Sequence, residues 1–441
     1  MKIRFILFLL MFPLAMYAQD DSKTLRFTLE ECLEYAFSNS YERQSMELSN
    51  KSQQLSYEQS KEQRLPSVSA SLGESFSNNA SGSGFSGNVG LNAGMPIYQG
   101  GQINATIQQE LLSCEQSALE IQRYDDDLSI QILQSFLTIL GNQELLNYQK
   151  SVLNSSREAM KQGKRKYEVG AILESDYLLL AAQYASDTNN IVDTQMDIES
   201  NMISLKVLLS MDPTTELEIV GPDSDIITAL SSFPSLEESV AQSLEYSPNL
   251  KISNYNIEIA KQSLRIAKSN YYPTVNLSAG VNTGHQNYKN IGEQLANQFS
   301  EQIGVSVNIP IYNRGASKLR VQQSEIALEQ QQLSYEQNML SVHQNIVQEY
   351  QNMISSYNKY NVSKQTKDAY LKSFEAYNIQ FQYGSITAVE LLQQQNSYLH
   401  ALNNFIQNKY SFILQRKILD VYMGLGITPV ASNQERLNKI Y

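Results

Sequence analysis

Four segments of the chain alternate apolar residues with small polar ones, which is the two-residue period of a β-strand with one apolar face. They form two pairs, at about residues 66–98 and 273–312. Pro66 and Pro273 begin the pairs, where a preceding helix must stop. Each strand has enough residues for the roughly 9–11 that a tilted membrane strand requires. A sheet packed on a soluble core is the alternative, although no amphipathic helix nearby is free to cover the apolar face.

The segments after the strand pairs lack proline and predict two very long helices, at about 101–167 and 315–381. At about 1.5 Å per residue, each helix is roughly 100 Å long. In the second helix an apolar residue recurs every seven positions, which predicts that helices pack side by side as in a coiled coil. These residues are Leu319, Ile326, Leu333, Leu340, Val347 and Ile354.

Shorter helices are predicted around these elements. Residues 28–65 are compatible with helix, with a break near residue 40, and two further helices follow the long ones at about 171–210 and 385–425. The second strand pair is also preceded by a helix. The lengths allow two short helices, stacked end to end, to run alongside each long helix.

The second half of the chain repeats the first. Pro310 corresponds to Pro96 at an offset of 214 residues, and the same offset relates the segments after the two long helices. A duplication of this length indicates two copies of one structural unit. We therefore divide the chain into a signal peptide at 1–18, a first repeat at 19–231 and a second repeat at 232–441 that ends in a short C-terminal tail.

The N-terminus is expected to be a secretory signal peptide. Lys2 and Arg4 precede an apolar run from Phe5 to Leu14, and cleavage is expected near the small residue Ala18. No cysteine stands directly after the expected cleavage site, which disfavours a lipid anchor there. No later segment approaches the roughly 20 apolar residues of a membrane helix, so any membrane-embedded part would consist of strands.

Composition and motifs exclude several classes of function. A formal net charge of −12 disfavours nucleic acid as a partner. Cys32 and Cys114 are expected to be buried free thiols, with one isolated disulfide as the alternative. The scattered His285, His343 and His400 predict no metal site, and no cofactor is expected. No GxSxG or HExxH motif occurs, so no catalytic residue and no enzyme is predicted.

The predicted strands have no means of closing within one chain. Four strands leave two open edges, and lipid cannot satisfy the unpaired backbone groups there, so other copies of the chain must complete the sheet. Two chains would supply eight strands, a barrel whose interior is filled by side chains, whereas three chains would supply twelve and leave a lumen. Four chains are not excluded by this argument.

These motifs, in this order, resemble the TolC-like outer-membrane efflux protein family over nearly all of the mature sequence. The resemblance rests on duplicated pairs of segments. They are the corners MPIYQGG and IPIYNRG, which contain Pro96 and Pro310, the segments LPSV and YPTV, which contain Pro66 and Pro273, and the turns KYEVGAILESDYLLLAA and FQYGSITAVELLQQQ.

The resemblance implies a mostly α fold with a small antiparallel β part, internally duplicated. It implies a homotrimer in the outer membrane of a Gram-negative bacterium. A membrane β-barrel, with four strands per chain and twelve in the trimer, would continue into a long coiled-coil-like α-helical barrel that crosses the periplasm. The implied function is the exit duct of a tripartite efflux or type I secretion system, for small molecules or proteins.

The implied partners are outer-membrane lipid, a periplasmic adaptor (membrane fusion) protein and an inner-membrane pump driven by protons or by ATP. The sequence does not specify the transported substrate. A non-channel, envelope-spanning structural coiled-coil protein is the alternative. Such a protein would not need two alternating strand pairs or matched helix lengths.

Two turns between helices are the implied adaptor-docking segments, at the end of the long helices opposite the strands. They comprise Gly170, Ala171, Ile172 and Leu173 in the first repeat and Gly384, Ser385, Ile386 and Thr387 in the second. The glycines predict left-handed backbone at a helix C-terminus. Apolar Ile172 and Ile386 at an exposed tip favour a partner. The alternative is that the turns only close helical hairpins.

Asp176 and its repeat counterpart Glu390 match positions that, in the family, face inward near a constricted periplasmic aperture. Three copies of each would form an acidic ring that favours cations and water. The alternative is a solvated surface carboxylate. The chain departs from the family's inter-helix hydrogen bonds, because Phe381 replaces a tyrosine and Ile386 an arginine, and Gln393 replaces a second inward acid. A closed state therefore cannot rest on those hydrogen bonds.

The run Asp125, Asp126 and Asp127 has two interpretations. It is either a solvated helix face or an acidic band that faces the lumen of the assembly.

Overall fold

The structure is a computed structural model that describes residues 25–79, 82–221 and 232–427. The predicted signal peptide at 1–18 and the last part of the C-terminal tail lie outside the described residues, as do residues 80–81 and 222–231.

The first repeat begins with a short strand and two consecutive helices. Thr28 caps the first helix through a capping box with Glu31, and Ser40 separates the two helices and caps the second. A strand pair and two helices follow. The elements are β1 (Leu25–Phe27), α1 (Leu29–Asn39), α2 (Tyr41–Glu62), β2 (Ser67–Asn79), β3 (Gly82–Gln99), α3 (Gln102–Glu168), α4 (Glu174–Leu208) and β4 (Leu217–Ile219).

The second repeat has the same succession of two helices, a strand pair and two helices, with an additional short helix between its strands and, among the described residues, no counterpart of β1 or β4. Its first helix is capped by Ser235, where the first repeat has Thr28, and Pro248 is accommodated at the first helical position of the next one. The elements are α5 (Leu236–Tyr246), α6 (Pro248–Ser269), β5 (Thr274–His285), α7 (Ile291–Asn297), β6 (Ser300–Asn308), α8 (Ala316–Tyr383) and α9 (Ala388–Tyr422).

The two long helices, α3 and α8, are each flanked by two short ones. Helices α2 and α4 contact α3, and α6 and α9 contact α8. Polar contacts give the register: Asn50 on α2 donates to Ser117 on α3, and Asn338 on α8 donates to Ser253 on α6. Helices α2 and α6 therefore lie beside the sheet-proximal halves of α3 and α8, and α4 and α9 lie beside the sheet-distal halves.

The strands form one antiparallel sheet with the order β2-β3-β5-β6, so strands of both repeats pair at its centre. The register is continuous except for a shift between Pro96 and Tyr98, where proline has no amide to donate. Strands β2 and β6 are the two edges. A separate parallel pair joins β1 to β4.

One face of the sheet is apolar and exposed, as the alternation predicted. Its exposed side chains on the edge strands are Val68, Leu72, Phe76, Ile303, Val305 and Val307. Within the described part of the chain, no helix is both long enough and apolar enough to cross a membrane.

The second strand pair differs from the expectation in two respects. The alternation suggested a strand up to about residue 312, but β6 ends at Asn308, before Pro310. Asn308 already pairs with Thr274, the first residue of β5, and Pro310 has no amide hydrogen with which to extend the ladder. The segment between the two strands also contains the helix α7, which is joined to β5 by the Thr283 hydroxyl donating to the carbonyl of Leu295.

The strand-to-helix corners rely on left-handed backbone. At Gly100, with φ of 60°, an added Cβ would lie 2.8 Å from the carbonyl oxygen of Ser269, so this corner requires glycine. The corresponding residue of the second repeat is Arg314, which takes the same conformation with φ of 58°. The duplication therefore preserves the backbone path and not the residue.

The hydrophobic core lies where α1, α3, α4, α8 and α9 meet. Cys32 is buried in it, and both Cys32 and Cys114 are free thiols, as predicted. The expected burial was wrong for Cys114, which is half-buried on α3. Its largest fully buried side chains include Ile132, Leu133, Phe136, Ile139, Leu180, Leu205, Leu209, Ile346, Met353, Leu391, Leu402 and Phe412.

Candidate functional site

The turn between α3 and α4 has the predicted glycine conformation. Gly170 has φ of 72°, and its amide donates to the carbonyl of Tyr167 at 2.9 Å. The amide of Ala171 donates to the carbonyl of Lys166 at 2.7 Å. These bonds satisfy the last carbonyls of the long helix, so the turn is a defined structure at the sheet-distal end.

The turn between α8 and α9 is built in the same way and adds a capping box. Gly384 has φ of 74°, and the amide of Ser385 donates to the carbonyl of Gln380 at 3.0 Å. Thr387 accepts a hydrogen bond from the amide of Glu390, and its own amide donates to the Glu390 carboxylate at 2.8 Å. The second turn is thus the more strongly fixed of the two.

The apolar residues exposed at these turns are not the predicted ones. Ile172 is half-buried and points toward Gly163 and Leu180, and Ile386 packs against the hydrophobic core. The expectation that both side chains are exposed was wrong. At each of the two turns, the backbone after the glycine folds back and places the isoleucine against its own helices. The exposed apolar side chains are Val169 at 78 %, Leu173 at 71 % and Tyr383 at 83 %.

We refer to Val169, Leu173 and Tyr383 as the turn-tip residues. They flank the glycines on both sides, and sequence reasoning missed two of them. The signal that could have found them is position: the residues next to a left-handed glycine have no following helical turn to cover them.

Asp176 and Glu390 both lie in the first turn of a helix that begins at this end of the molecule. Glu390 is exposed, and the hydrogen bond from the Thr387 backbone amide lowers the pKa of its carboxyl group. Asp176 is half-buried, and the N-cap residue Leu173 has no side chain able to cap the helix. The structure therefore brings the two acids to the same end, with different local roles.

A lysine that the sequence did not point to joins the two turns. Phe381 is buried, and Lys166 at the end of α3 donates to its carbonyl oxygen at 2.6 Å. The ammonium also lies 4.6 Å from the centre of the Phe381 ring. Where the family's tyrosine hydroxyl is absent, a cation on α3 therefore contacts the last turn of α8.

The acidic run near the middle of α3 is neither wholly solvated nor a continuous band. Asp125 accepts from Arg43 on α2 at 2.9 Å, and Asp126 accepts from the Tyr246 hydroxyl on α5 at 3.0 Å. Asp127 is exposed. The first two acids therefore join α3 to neighbouring helices, a role that only the tertiary structure reveals.

Two long helical hairpins attached to a four-stranded sheet form the fold of known outer-membrane channels. The structure of CusC, a protein that forms a transmembrane channel, matches with a TM-score of 0.79 at 15% identity, covering 90% of this chain and 91% of that one. The open state of the MtrE outer membrane channel of Neisseria gonorrhoeae matches with a TM-score of 0.75 at 15% identity, covering 92% and 91%.

Sequence comparison gives the family. A profile of the family described as Outer membrane efflux protein matches residues 33–210 and 240–425. The chain belongs to the outer membrane efflux protein family, and it is an outer-membrane protein of a Gram-negative bacterium that extends into the periplasm.

Relatives in sequence include outer membrane protein TolC of Vibrio cholerae serotype O1. It is 19% identical over 302 residues, which are 68% of this chain and 67% of that protein. The chain spans about two thirds of the length of such relatives. The names of the relatives and of the matched structures describe outer membrane proteins, efflux proteins and channels.

Burial makes Asp126 sensitive to pH. Burial raises the pKa of its carboxyl group to about 7, against the opposing hydrogen bond from Tyr246. Between about pH 4 and pH 7 the unfolded chain loses this proton and the folded chain keeps it, so stability falls as the pH rises through that window. Above about pH 7 the carboxylate is ionised in both the folded and the unfolded chain, so the loss of folding stability caused by its burial is then complete.

Asp126→Asn is therefore expected to raise the melting temperature at pH 8 by about 2 °C or more and to change it little at pH 4. Asparagine keeps an acceptor for Tyr246 without the buried charge. Thermal unfolding followed by circular dichroism measures the difference between variant and wild type. Asp193→Asn, at an exposed position of α4, is the control. An equal effect of Asp126→Asn on the melting temperature at both pH values would contradict the raised pKa of the Asp126 carboxyl group.

Proposed function

We propose that three copies of this chain form the outer-membrane exit duct of a tripartite efflux or type I secretion system. The duct passes small molecules or proteins from an inner-membrane pump and a periplasmic adaptor to the outside, and the chain itself has no enzymatic activity. The observation that carries the proposal is the pair of unpartnered edges on a chain that otherwise resembles known channels.

The two edges of the chain both expose unpartnered strand and helix surfaces in their sheet-proximal part. Strands β2 and β6 each lack a neighbour on one side. The helices next to them, α2 and α8, each expose apolar residues at seven-residue spacing: Tyr41, Leu48 and Leu55 on α2, and Leu319, Ile326, Leu333 and Leu340 on α8. The first four members of the seven-residue pattern of α8 are thus left uncovered by the chain itself, whereas Ile354 packs against its own core.

Two different edges that fit each other generate a ring of copies. Contact of α8 of one copy with α2 of the next is head-to-tail, and such contacts close when the rotation per copy completes a circle. The same step would pair β6 with β2 and leave no open strand edge. Three copies give the smallest closed sheet that has a lumen, with the apolar strand faces toward lipid.

The sheet-distal end suits a protein partner. The turn-tip residues Val169, Leu173 and Tyr383 expose large apolar surface at the far end of the helices. We assign the adaptor contact to the two turn segments, 170–173 and 384–387, together with these residues. In the ring, Asp176 and Glu390 lie close to this end and supply acids for a periplasmic aperture.

The test of the function is conductance. Purified protein in planar lipid bilayers is expected to give discrete single-channel currents, because a closed twelve-stranded sheet encloses water. The absence of currents from a protein that is oligomeric and membrane-inserted would support the alternative, an envelope-spanning structural protein, and would overturn the proposal.

Assembly is tested at the edge of α8. The double variant Ile326→Glu with Leu333→Glu is expected to abolish the trimer, because it introduces charges into an apolar contact between copies. Size measurement by light scattering in detergent reports the mass. Ala327→Glu with Gln332→Glu adds the same charges about 100° around the helix on either side and should leave the trimer intact. A trimer that persists in the variant Ile326→Glu with Leu333→Glu would exclude this edge of α8 as the contact between copies.

Docking is tested at the turn tips. Leu173→Asp with Tyr383→Asp is expected to abolish export and leave trimers in the membrane, because the tips lie outside the contacts between helices. Export of a known pump substrate from intact cells is the measurement. Leu173→Met with Tyr383→Phe retains the apolar surface and should export like wild type. Unchanged export by the aspartate variant would refute docking at these residues.

A further inference from the structure

The ends of the helices next to the sheet are basic, although the chain as a whole is acidic. Residues 61–66, 99–109, 262–274 and 308–324 surround the strand-to-helix corners and contain seven lysines and arginines but one acid, Glu62. Their net charge is therefore +6, whereas that of the whole chain is −12. Positive charge is thus concentrated at one level of the molecule.

Ion pairs within the chain neutralise few of these charges. The Lys61 ammonium lies 2.8 Å from the Glu58 carboxylate, and that of Lys268 lies 3.9 Å from Glu325. The other five basic residues are exposed and form no ion pair within residues 25–79, 82–221 and 232–427: Arg64, Arg265, Arg314, Lys318 and Arg320.

Helix polarity explains the lysines at the ends of α2 and α6 but not the one at the beginning of α8. Lys61 and Lys268 lie in the last turns of their helices, where the helix dipole favours cations. Lys318 is the third residue of α8, and the first turn of this helix contains no acid. The dipole disfavours a cation there. An anion outside the chain would offset that cost.

The basic residues of α8 lie on two opposite sides of the helical wall. Arg320 lines a cavity of about 250 Å³ together with Thr274 and Asn308, which pair with each other on the polar face of the sheet. Lys318 lies two residues before Arg320 and is therefore directed about 160° away from it. Lys318 is thus on the side of the wall that continues the apolar face of the sheet.

Both repeats place cations on this side. Glu325, the partner of Lys268, lies seven residues after Lys318 and so only about 20° around the helix. In the first repeat, Arg64 on the chain leaving α2 donates to Asn104 on α3 at 2.8 Å. Asn104 is the counterpart of Lys318 at the repeat offset of 214. The charge has therefore moved from one helix to its neighbour, whereas its level and its side are the same.

We refer to these outward cations as the basic belt, which comprises Lys61, Arg64, Arg265, Lys268 and Lys318. Arg265 is included because it lies three residues before Lys268, about 60° around α6. Lys61 is included because it is the counterpart of Lys268 at the offset of 207 that relates Pro66 to Pro273.

The belt borders an exposed apolar and aromatic zone. Beyond β6 the chain continues with Ile311, 94% exposed, then Tyr312, 84% exposed, and then Arg314. A chain that leaves the hydrocarbon core meets apolar, interfacial and aqueous surroundings in this same order, and tyrosines are typical of the interface. Lys268 and Lys318 lie within about 6 Å of the ends of their helices along the helix axes. Lipid headgroups occupy a layer of roughly this thickness on each side of the bilayer.

We propose that the basic belt binds the phosphate groups of anionic phospholipids in the periplasmic leaflet of the outer membrane. The belt lies at the end of the strands that joins the long helices, so only the periplasmic leaflet is within its reach. Phosphatidylglycerol presents its phosphate without a neighbouring ammonium group, whereas phosphatidylethanolamine carries its own cation, so lysine and arginine favour the former. The inference rests on the proposed function in one respect, that the apolar sheet face is in contact with lipid.

The test uses the absence of tryptophan from the chain. Tyr98 pairs with Val275 on the apolar face, at the end of the sheet next to the belt, and Tyr98→Trp places one fluorophore there. The full-length variant is reconstituted in phosphatidylcholine vesicles that contain the same fraction of dibrominated phosphatidylglycerol or dibrominated phosphatidylethanolamine. Bromine quenches tryptophan on contact. The apparent binding constant is expected to favour phosphatidylglycerol by at least about threefold, and added salt should reduce this preference.

Charge removal in the Tyr98→Trp protein assigns the preference to the belt. Arg64→Gln with Lys318→Gln removes two charges per copy and is expected to bring the ratio of the two binding constants close to one. Arg320→Gln is the matched control, because it removes a charge from the same turn of α8 on the polar side, and should retain the preference. Arg265→Gln with Lys268→Gln tests α6 independently and carries the test if the first double variant does not assemble.

The outcomes separate this inference from the proposed function. Equal quenching by the two lipids, or a preference that persists in both double variants, would overturn the inference alone. A loss of preference in Arg320→Gln as large as in the double variants would also contradict it. Absence of quenching by either lipid would show that the apolar sheet face does not contact lipid, and would overturn the arrangement on which the proposed function depends.

Discussion

The two unpaired edges of the chain are the constraint on which the rest of the structure depends. An exposed apolar sheet face calls for lipid, and in lipid every backbone amide and carbonyl must find a partner in protein. One chain pairs β3 and β5 at the centre of its sheet and leaves β2 and β6 open at its sides. The helices continue the same edges with exposed apolar stripes, so in the ring that we propose one neighbour supplies both the strand pairing and the helix packing.

Duplication supplies the symmetry of this arrangement, and local differences supply its chemistry. The backbone path at the corners is repeated even where Gly100 is matched by Arg314. The segment between the strands is not repeated, because the second one contains α7. The buried contact of Asp187 with Ser156 and Gln395 also exists once, because Asp187 has Ala401 as its repeat counterpart.

The candidate site shows which of its features residue patterns predict and which they do not. Gly170 and Gly384 were predictable, because few other residues tolerate left-handed backbone at the end of a helix. The exposure of Ile172 and Ile386 was not, since it depends on the direction in which the chain leaves the glycine. Lys166 could not be assigned from sequence either, because its partner is a backbone carbonyl 215 positions away that carries no residue signature.

The sequence by itself determined the repeat, the four strands with one apolar face, the long helices and the positions of their ends. These follow from periodicity and from proline and glycine, which act over a few residues. Only the tertiary structure decided which side chains are buried between helices. It buried Asp187 against Gln395, directed the sheet-proximal part of the seven-residue stripe of α8 away from its own chain and joined Asp126 to Tyr246. Such pairings depend on the crossing of distant helices, and local propensity contains no information about that geometry.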